Sequence, residues 1–309
     1  MSKQDTEQNS AQPNDPETDA VTRGSYGILG LLTFINVLNF VDRQLLASFA
    51  NFIVPDLELT NTEFGLLTGF AFIVFYSVMG LFMGALADRL HRPRLLSFGL
   101  GMWSLLTAAS GAATGFMSLL LPRMLIGIGE SSATPTAMSL LADRFPSTKL
   151  GFAAGFYYLG VPLGVALSLL IAGYLGPAIG WRNCFYLLGG LGVLVAISLL
   201  FLSETPRKGI TAEPKEKFNF KQTLTDLRET LAASPALCLT IAGGVAFHFI
   251  LGAAAFDQLW MVQERGFERA EIAVLSGWLA AGGGLIGTIS GGLAGDGGPR
   301  NFNTGRPTF

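Results

Sequence analysis

The chain has 309 residues, half of them hydrophobic and only 14% charged, against roughly 25% charged in a soluble domain. Its 39 glycines within so apolar a chain and its net charge of -2 exclude a coiled coil, a disordered polymer and a basic surface for nucleic acid. Two cysteines, Cys184 and Cys238, both in apolar stretches, allow neither a disulfide framework nor a Cys/His metal cluster, so no cofactor or metal is expected.

In chain order, residues 1–23 are polar and lack any apolar period, which predicts a disordered cytoplasmic tail. Gly27 to Ala50 then reads as a first membrane-spanning helix, too long for a signal segment. Further apolar stretches sufficient to cross a core of about 30 Å run over Glu63–Ala87, Leu95–Ala113, Phe116–Ala142, Gly151–Leu175, Cys184–Leu202, Ala236–Trp260 and Glu271–Gly295. The fold class predicted is all-α and polytopic: a six-helix bundle over 24–203, a cytoplasmic linker over 204–235, and two helices with a short tail over 236–309. Within the linker, Phe220, Leu224, Leu227 and Leu231 share one helical face, predicting an interfacial helix; a solvated loop is the alternative. With the N-terminus inside, the inner segments carry fifteen Lys and Arg and the outer loops only Arg182, Arg265 and Arg269, which places the N-terminus in the cytoplasm and the chain in the inner (plasma) membrane.

Sliding the sequence by 208 positions superposes Glu63 on Glu271, Gly69 on Gly277, Gly84 on Gly292, Asp88 on Asp296 and Arg92 on Arg300. The second and eighth spans are therefore copies with the same orientation, the mark of a parallel duplication about an axis normal to the membrane. By that internal measure a second six-helix unit is expected, and the chain holds two of its helices; a product truncated after the eighth helix is one expectation.

Four ionisable residues fall inside predicted spans, Asp42 and Arg43 on the first and Arg123 and Glu130 on the fourth, where each charge costs about 2.5 to 3.5 kcal/mol. Counted from the outer ends at 1.5 Å per residue, Arg123 lies about 6 Å deep, Asp42 about 12 Å and Glu130 about 16 Å. If the first and fourth helices share a cavity, the acids can exchange Arg partners as protons come and go. A static ion-pair cluster that pins the helices is the alternative.

The loop after the second span reads Gly84-Ala-Leu-Ala-Asp88-Arg89-Leu-His91-Arg92-Pro-Arg94. It resembles the signature loop of the major facilitator superfamily, with His91 and Pro93 in place of Gly and Lys. The resemblance implies a gating loop formed by Gly84, Asp88, Arg89 and Arg92, which in the family latches the two halves; a basic turn serving orientation alone is the alternative. Asn39-Phe-Val-Asp42-Arg43, Arg123-Met-Leu-Ile-Gly-Ile-Gly-Glu130 and Asp143-Arg144-Phe145-Pro146 are similar to the Spinster-type branch of lipid and organic-anion transporters. This implies roles in proton-linked transport for Asp42, Arg123 and Glu130, with Arg43 as partner.

Gly80/Gly84, Gly160/Gly164 and Gly283/Gly287/Gly291 predict close helix packing. Pro162 reads as a bend, static or used in motion. His248, the single histidine in a span, is expected to be a packed core residue. Phe156, Tyr157 and Tyr158 read as core or interface aromatics, with a ligand border as the other choice.

The function expected is secondary active transport of a small amphipathic or anionic solute, lipid-like or organic, coupled to protons by alternating access. The partners expected are that solute, protons and membrane lipids, with no nucleic acid. No Gly-Lys-Ser/Thr phosphate cradle or nucleophile-base pair is found, so an enzyme is not expected. A non-transporting remnant with a binding or regulatory role is the rival.

Overall fold

The computed structural model describes residues 22–207 and 220–302. The predicted N-terminal tail up to Val21 and the linker over 208–219 lie outside the described residues. Among the described residues every regular element is helical.

The first span is α1 (Arg23–Ser48) continued after a break at Phe49 by the short α2 (Ala50–Asp56). Thr60 then opens the second span with a capping box: its hydroxyl accepts from the Glu63 N–H at 3.2 Å while Glu63 Oε2 accepts from the Thr60 N–H at 2.9 Å. Two orphan amides are satisfied reciprocally. That span consists of α3 (Asn61–Gly65), a π-helical stretch over Leu66–Phe70 and α4 (Ala71–Ala87). The third is α5 (Arg92–Ser110), whose first turn holds Pro93 where no amide partner is needed. The fourth divides at Ser131 and Ser132 into α6 (Phe116–Glu130) and α7 (Ala133–Arg144). The fifth is α8 (Ser147–Tyr158) and α9 (Gly160–Ile179), and the sixth is α10 (Trp181–Leu199).

Six segments in the described residues are long and apolar enough to cross a membrane: 23–48, 61–87, 147–179, 181–199, 235–263 and 269–288. The other two predicted spans are also helices. One starts on the charged pair Arg92 and Arg94, and the other is interrupted by its serine pair, so each falls short as a single apolar rod.

The linker contains α11 (Phe220–Ala233), a helix over the stretch whose apolar face was read from spacing. The seventh span is α12 (Pro235–Ala253) followed by a 3-10 turn and α13 (Asp257–Gln263). The eighth is α14 (Arg269–Phe302), which continues past the predicted end of the span at Gly295.

Two apolar cores stack along the bundle. The one toward the start of α1 contains Leu32, Leu96, Leu100, Trp103, Phe145 and Tyr157. The one at the far end contains Phe49, Ile53, Phe64, Leu67, Trp181 and Phe185, and it also takes in Leu259 of α13 and Ala273 of α14. The amino-terminal bundle and the carboxy-terminal helices therefore share one core at that end.

Small residues set the close approaches. A Cβ at Gly164 would lie 2.5 Å from Phe40 Cβ and 2.7 Å from Val37 O, and one at Gly160 would lie 2.8 Å from Asn36 Cβ. The Gly160/Gly164 pair is thus what lets α9 seat on α1. Other predicted pairs do not pack this way. Gly80, Gly84, Gly283 and Gly287 face open space, whereas a Cβ at Gly284 would lie 2.5 Å from Pro162 Cβ; Gly291 lies outside the residues whose surroundings are described. Pro162 stands in the first turn of α9, just after the break at Leu159, and α14 packs against it at Gly284.

Candidate functional site

Asp42, Arg43, Arg123 and Glu130 come together between the two cores. Arg43 donates from Nη2 and Nε to Glu130 Oε2 at 3.1 and 3.2 Å, joining α1 to α6. The Glu130 side chain is fully buried while that of Arg43 keeps 26% exposure, so the pair has one dry and one wet partner. The Arg43 guanidinium is stacked by aromatic rings, with Tyr76, Phe40 and Phe72 centred 4.5, 4.8 and 5.0 Å away. Such contacts offset part of the desolvation of a cation.

Arg123 does something different from what the exchange of partners requires at rest. It donates to main-chain carbonyls: Nη2 to Arg43 O at 2.7 Å, Nη1 to Asp42 O at 3.4 Å and Nε to Leu67 O at 3.2 Å. It ties α6 to the middle of α1 and to the π-helical stretch of the second span, and it shares the Phe72 ring with Arg43 at 4.8 Å. Among the described residues neither Arg123 nor Asp42 forms a direct ion pair. Arg123 thus reaches the carbonyls of residues 42 and 43, while Glu130 takes the Arg43 side chain.

The cluster has spare hydrogen-bonding capacity. Glu130 Oε1 and Asn39 Nδ2 are buried without a hydrogen bond, as are Trp103 Nε1 and Thr107 Oγ1 on α5. Asp42, Thr107, Ser110 and Arg123 line a cavity of about 20 Å³ closed by Leu119, Ile126 and Phe185, room for about one water. A sheltered chamber therefore borders Asp42, but it is small. Trp103, Thr107, Phe72 and Tyr76 were not identified from the sequence. The available signal was the stripe Ser97, Ser104, Thr107 and Ser110 on an otherwise apolar helix.

At the start of α5 the loop residues divide. Arg92 is fully buried and is the hub of a clamp: its N–H and Nε donate to Glu204 at 2.6 and 2.8 Å, Nη1 donates to Ser139 O and Oγ at 3.0 Å and to Asp143, and Nη2 donates to Thr205 O at 2.7 Å. It fastens the third span to the ends of the fourth and sixth. Burial would raise the Glu204 carboxyl, but its bonds to Arg92 outweigh this and hold it below the usual glutamate range. Arg207 donates to the carbonyls of Ala87, Asp88 and Leu90, closing the end of α4. Asp88 and Arg89 stand exposed beside it, and Gly84 faces open space.

At the far end the two halves meet. Asn51 Nδ2 donates to Gln258 O at 2.7 Å, Gln258 Nε2 donates to Ser276 Oγ at 3.1 Å, and Phe64 and Phe256 pack edge to face at 5.4 Å. Beside this seam, Asp56 accepts from Arg182 and from Trp181 Nε1, and the Arg182 bond holds its carboxyl below the usual aspartate range against the opposing effect of burial. Elsewhere, His248 is exposed, with Nδ1 2.7 Å from Gly244 O; the expected packed core histidine is not found, because α12 stands clear of the bundle. Tyr157 is a core residue, while Phe156 and Tyr158 lie on the surface.

Comparison with known proteins agrees with this architecture. Residues 32–308 match the model of the Major Facilitator Superfamily. The chain is 29% identical over 273 residues to an MFS-type efflux pump of Mycolicibacterium smegmatis, covering 86% of this chain and 61% of that protein. It is 31% identical to the human Protein spinster homolog 1, covering 75% of this chain and 44% of the relative, and 29% identical to the hexuronate transporter of Bacillus subtilis, covering 87% and 64%. The chain thus spans about half to two thirds of the length of these relatives. A crystal structure of a bacterial homolog of the human lysosomal transporter Spinster, in an inward-facing and unoccupied conformation, superposes with a TM-score of 0.75 at 29% identity, over 91% of this chain and 64% of that one. A helical, multi-pass membrane chain with this arrangement and these relatives belongs to the major facilitator superfamily, in its Spinster-type branch.

Proposed function

We infer that the protein moves a small amphipathic or anionic solute across the inner membrane by alternating access, coupled to protons, with its N-terminus in the cytoplasm. The observation that carries this reading is the Arg43–Glu130 pair: a wholly buried carboxylate held by a partly exposed guanidinium, with the second carboxylate oxygen unpartnered. Protonation of Glu130 removes the attraction and frees Arg43, whose aromatic ring stack still supports a cation. The freed guanidinium is then available to an anionic group of the solute, and departure of the solute restores the pair and releases the proton. The names of relatives, a hexuronate transporter and a probable sphingolipid transporter of Arabidopsis thaliana, are consistent with a solute bearing an acidic or polar head.

The seam at Asn51, Gln258, Phe64 and Phe256 supports a state closed on the outer side, given the excess of basic residues at the other end. Asp88 and Arg89, exposed at the inner end of α4, fit the gating role, whereas Arg92 is too deeply held to be remade in each cycle and serves as a fixed clamp. The test is uptake by vesicles carrying this chain, with a hexuronate and a single-chain anionic lipid as solutes and an imposed pH gradient. Gradient-dependent accumulation above that of empty vesicles is expected for one of the two. Equal accumulation with and without the chain, for both solutes, would favour a binding or regulatory role.

A further inference from the structure

Asp42 is separated from the Arg43–Glu130 pair by orientation rather than by distance along the chain. Its neighbour Arg43 reaches Glu130 and the rings of Phe72 and Tyr76, whereas Asp42 turns into the amino-terminal bundle, into the chamber lined by Thr107, Ser110 and Arg123. The charged groups around it are Arg43 on its own helix and Arg123 and Glu130 on α6; α5 and α10 bring no charge, only Trp103, Thr107, Ser110 and Phe185. Trp103 and Thr107 lie against the Asp42 carboxyl, and both are almost fully buried. Yet Trp103 Nε1 and Thr107 Oγ1 complete no hydrogen bond. Two groups directed at one acid but short of full hydrogen-bond geometry to it are costly to keep sealed there unless the acid, or a water beside it, engages them fully in some state.

The two groups differ chemically. An indole N–H can only donate, so Trp103 can serve the carboxylate form of Asp42 and not the O–H of the acid. A hydroxyl both donates and accepts, so Thr107 can rotate to serve either form. We propose that Trp103 and Thr107 are positioning residues for a proton site at Asp42, Trp103 favouring the ionised form and Thr107 following the proton between the two. The chamber admits about one water, through which the proton passes to and from Asp42. This rests on the proton-coupling reading above and adds to it two residues on the third span.

The experiment is an infrared pH titration of the purified chain, with the carboxyl C=O band of Asp42 identified by its loss in Asp42→Asn. Trp103→Phe removes a donor to the carboxylate alone, so the titration midpoint is expected to rise by about one pH unit. Thr107→Val removes a partner of both forms; its midpoint is expected to move less, while the C=O band shifts because the acid O–H loses its acceptor. Thr107→Ser restores the band, and this rescue separates loss of the hydroxyl from loss of fold. An Asp42 band whose midpoint and frequency are unmoved in both Trp103→Phe and Thr107→Val overturns the positioning role and leaves the coupling reading standing. Absence of any titrating band that Asp42→Asn removes overturns the proton site at Asp42 itself, whereas failure of the coupling reading would show separately as parental proton flux in Glu130→Gln.

Discussion

Two charge clusters share the fourth span, one at each of its halves, and they are built to opposite standards. In the clamp at the start of α5, Arg92 spends its donors on Glu204, Asp143, Ser139 and Thr205, each within 3.0 Å. In the mid-bundle cluster, Glu130 leaves one oxygen idle, Asn39 and Trp103 leave N–H groups unpaired, and Asp42 makes no ion pair among the described residues. A saturated network has one good arrangement and resists change; an under-satisfied one has several arrangements of similar energy. The clamp therefore reads as architecture and the cluster as the part that moves charge.

This contrast can be broken by substitution. The largest effect is expected from Arg92→Met, which leaves two acids facing each other where their shared cation stood. The bundle should lose about 3 kcal/mol or more, visible as a lower thermal unfolding midpoint in detergent. Arg207→Ala uncovers the carbonyls of Ala87, Asp88 and Leu90 at an end that water can reach, so about 1 kcal/mol is expected by the same measurement. The clamp also has a pH signature. The folded-state value of Glu204 lies below its unfolded one, so its contribution is complete above the unfolded value, about 4.3, and fades as pH falls through the lowered one. The stability difference between the parent and Glu204→Gln should be level above about pH 5 and shrink on acidification; a difference that grows toward acid would contradict the assignment. The smallest stability effect belongs to Glu130→Gln, within about 1 kcal/mol, because Arg43 keeps its ring stack and its access to water. A loss there as large as that of Arg92→Met would erase the contrast.

Much of this arrangement was legible in the sequence. The spans showed because bilayer thickness sets their length. That the buried acids need an Arg partner followed from the cost of burying a charge alone; which Arg takes Glu130 did not. What stayed hidden depends on rotation about helix axes. Gly283 and Gly287 have the small-residue spacing, yet Gly284 meets Pro162, since spacing defines a stripe but not the direction it faces. Trp103 and Thr107 look like ordinary packing residues until Asp42 is known to turn toward them. Glu204 and Arg207 sit beyond the last apolar residue of the sixth span, where composition reads only as the start of a linker. The eighth span reads from composition as ending at Gly295, whereas α14 continues to Phe302; Gly297, Gly298 and Pro299 are poor helix formers, so local propensity gave no sign of the extension.

Proton coupling in this protein requires the Arg43–Glu130 pair to open and close with a proton. The most direct test compares solute-driven proton flux per folded protein in vesicles for the parent and Glu130→Gln, with thermal unfolding recorded on the same preparations. The expected result is a stability within about 1 kcal/mol of the parent and a solute-driven flux reduced to the level of empty vesicles. A variant with parental flux would contradict it.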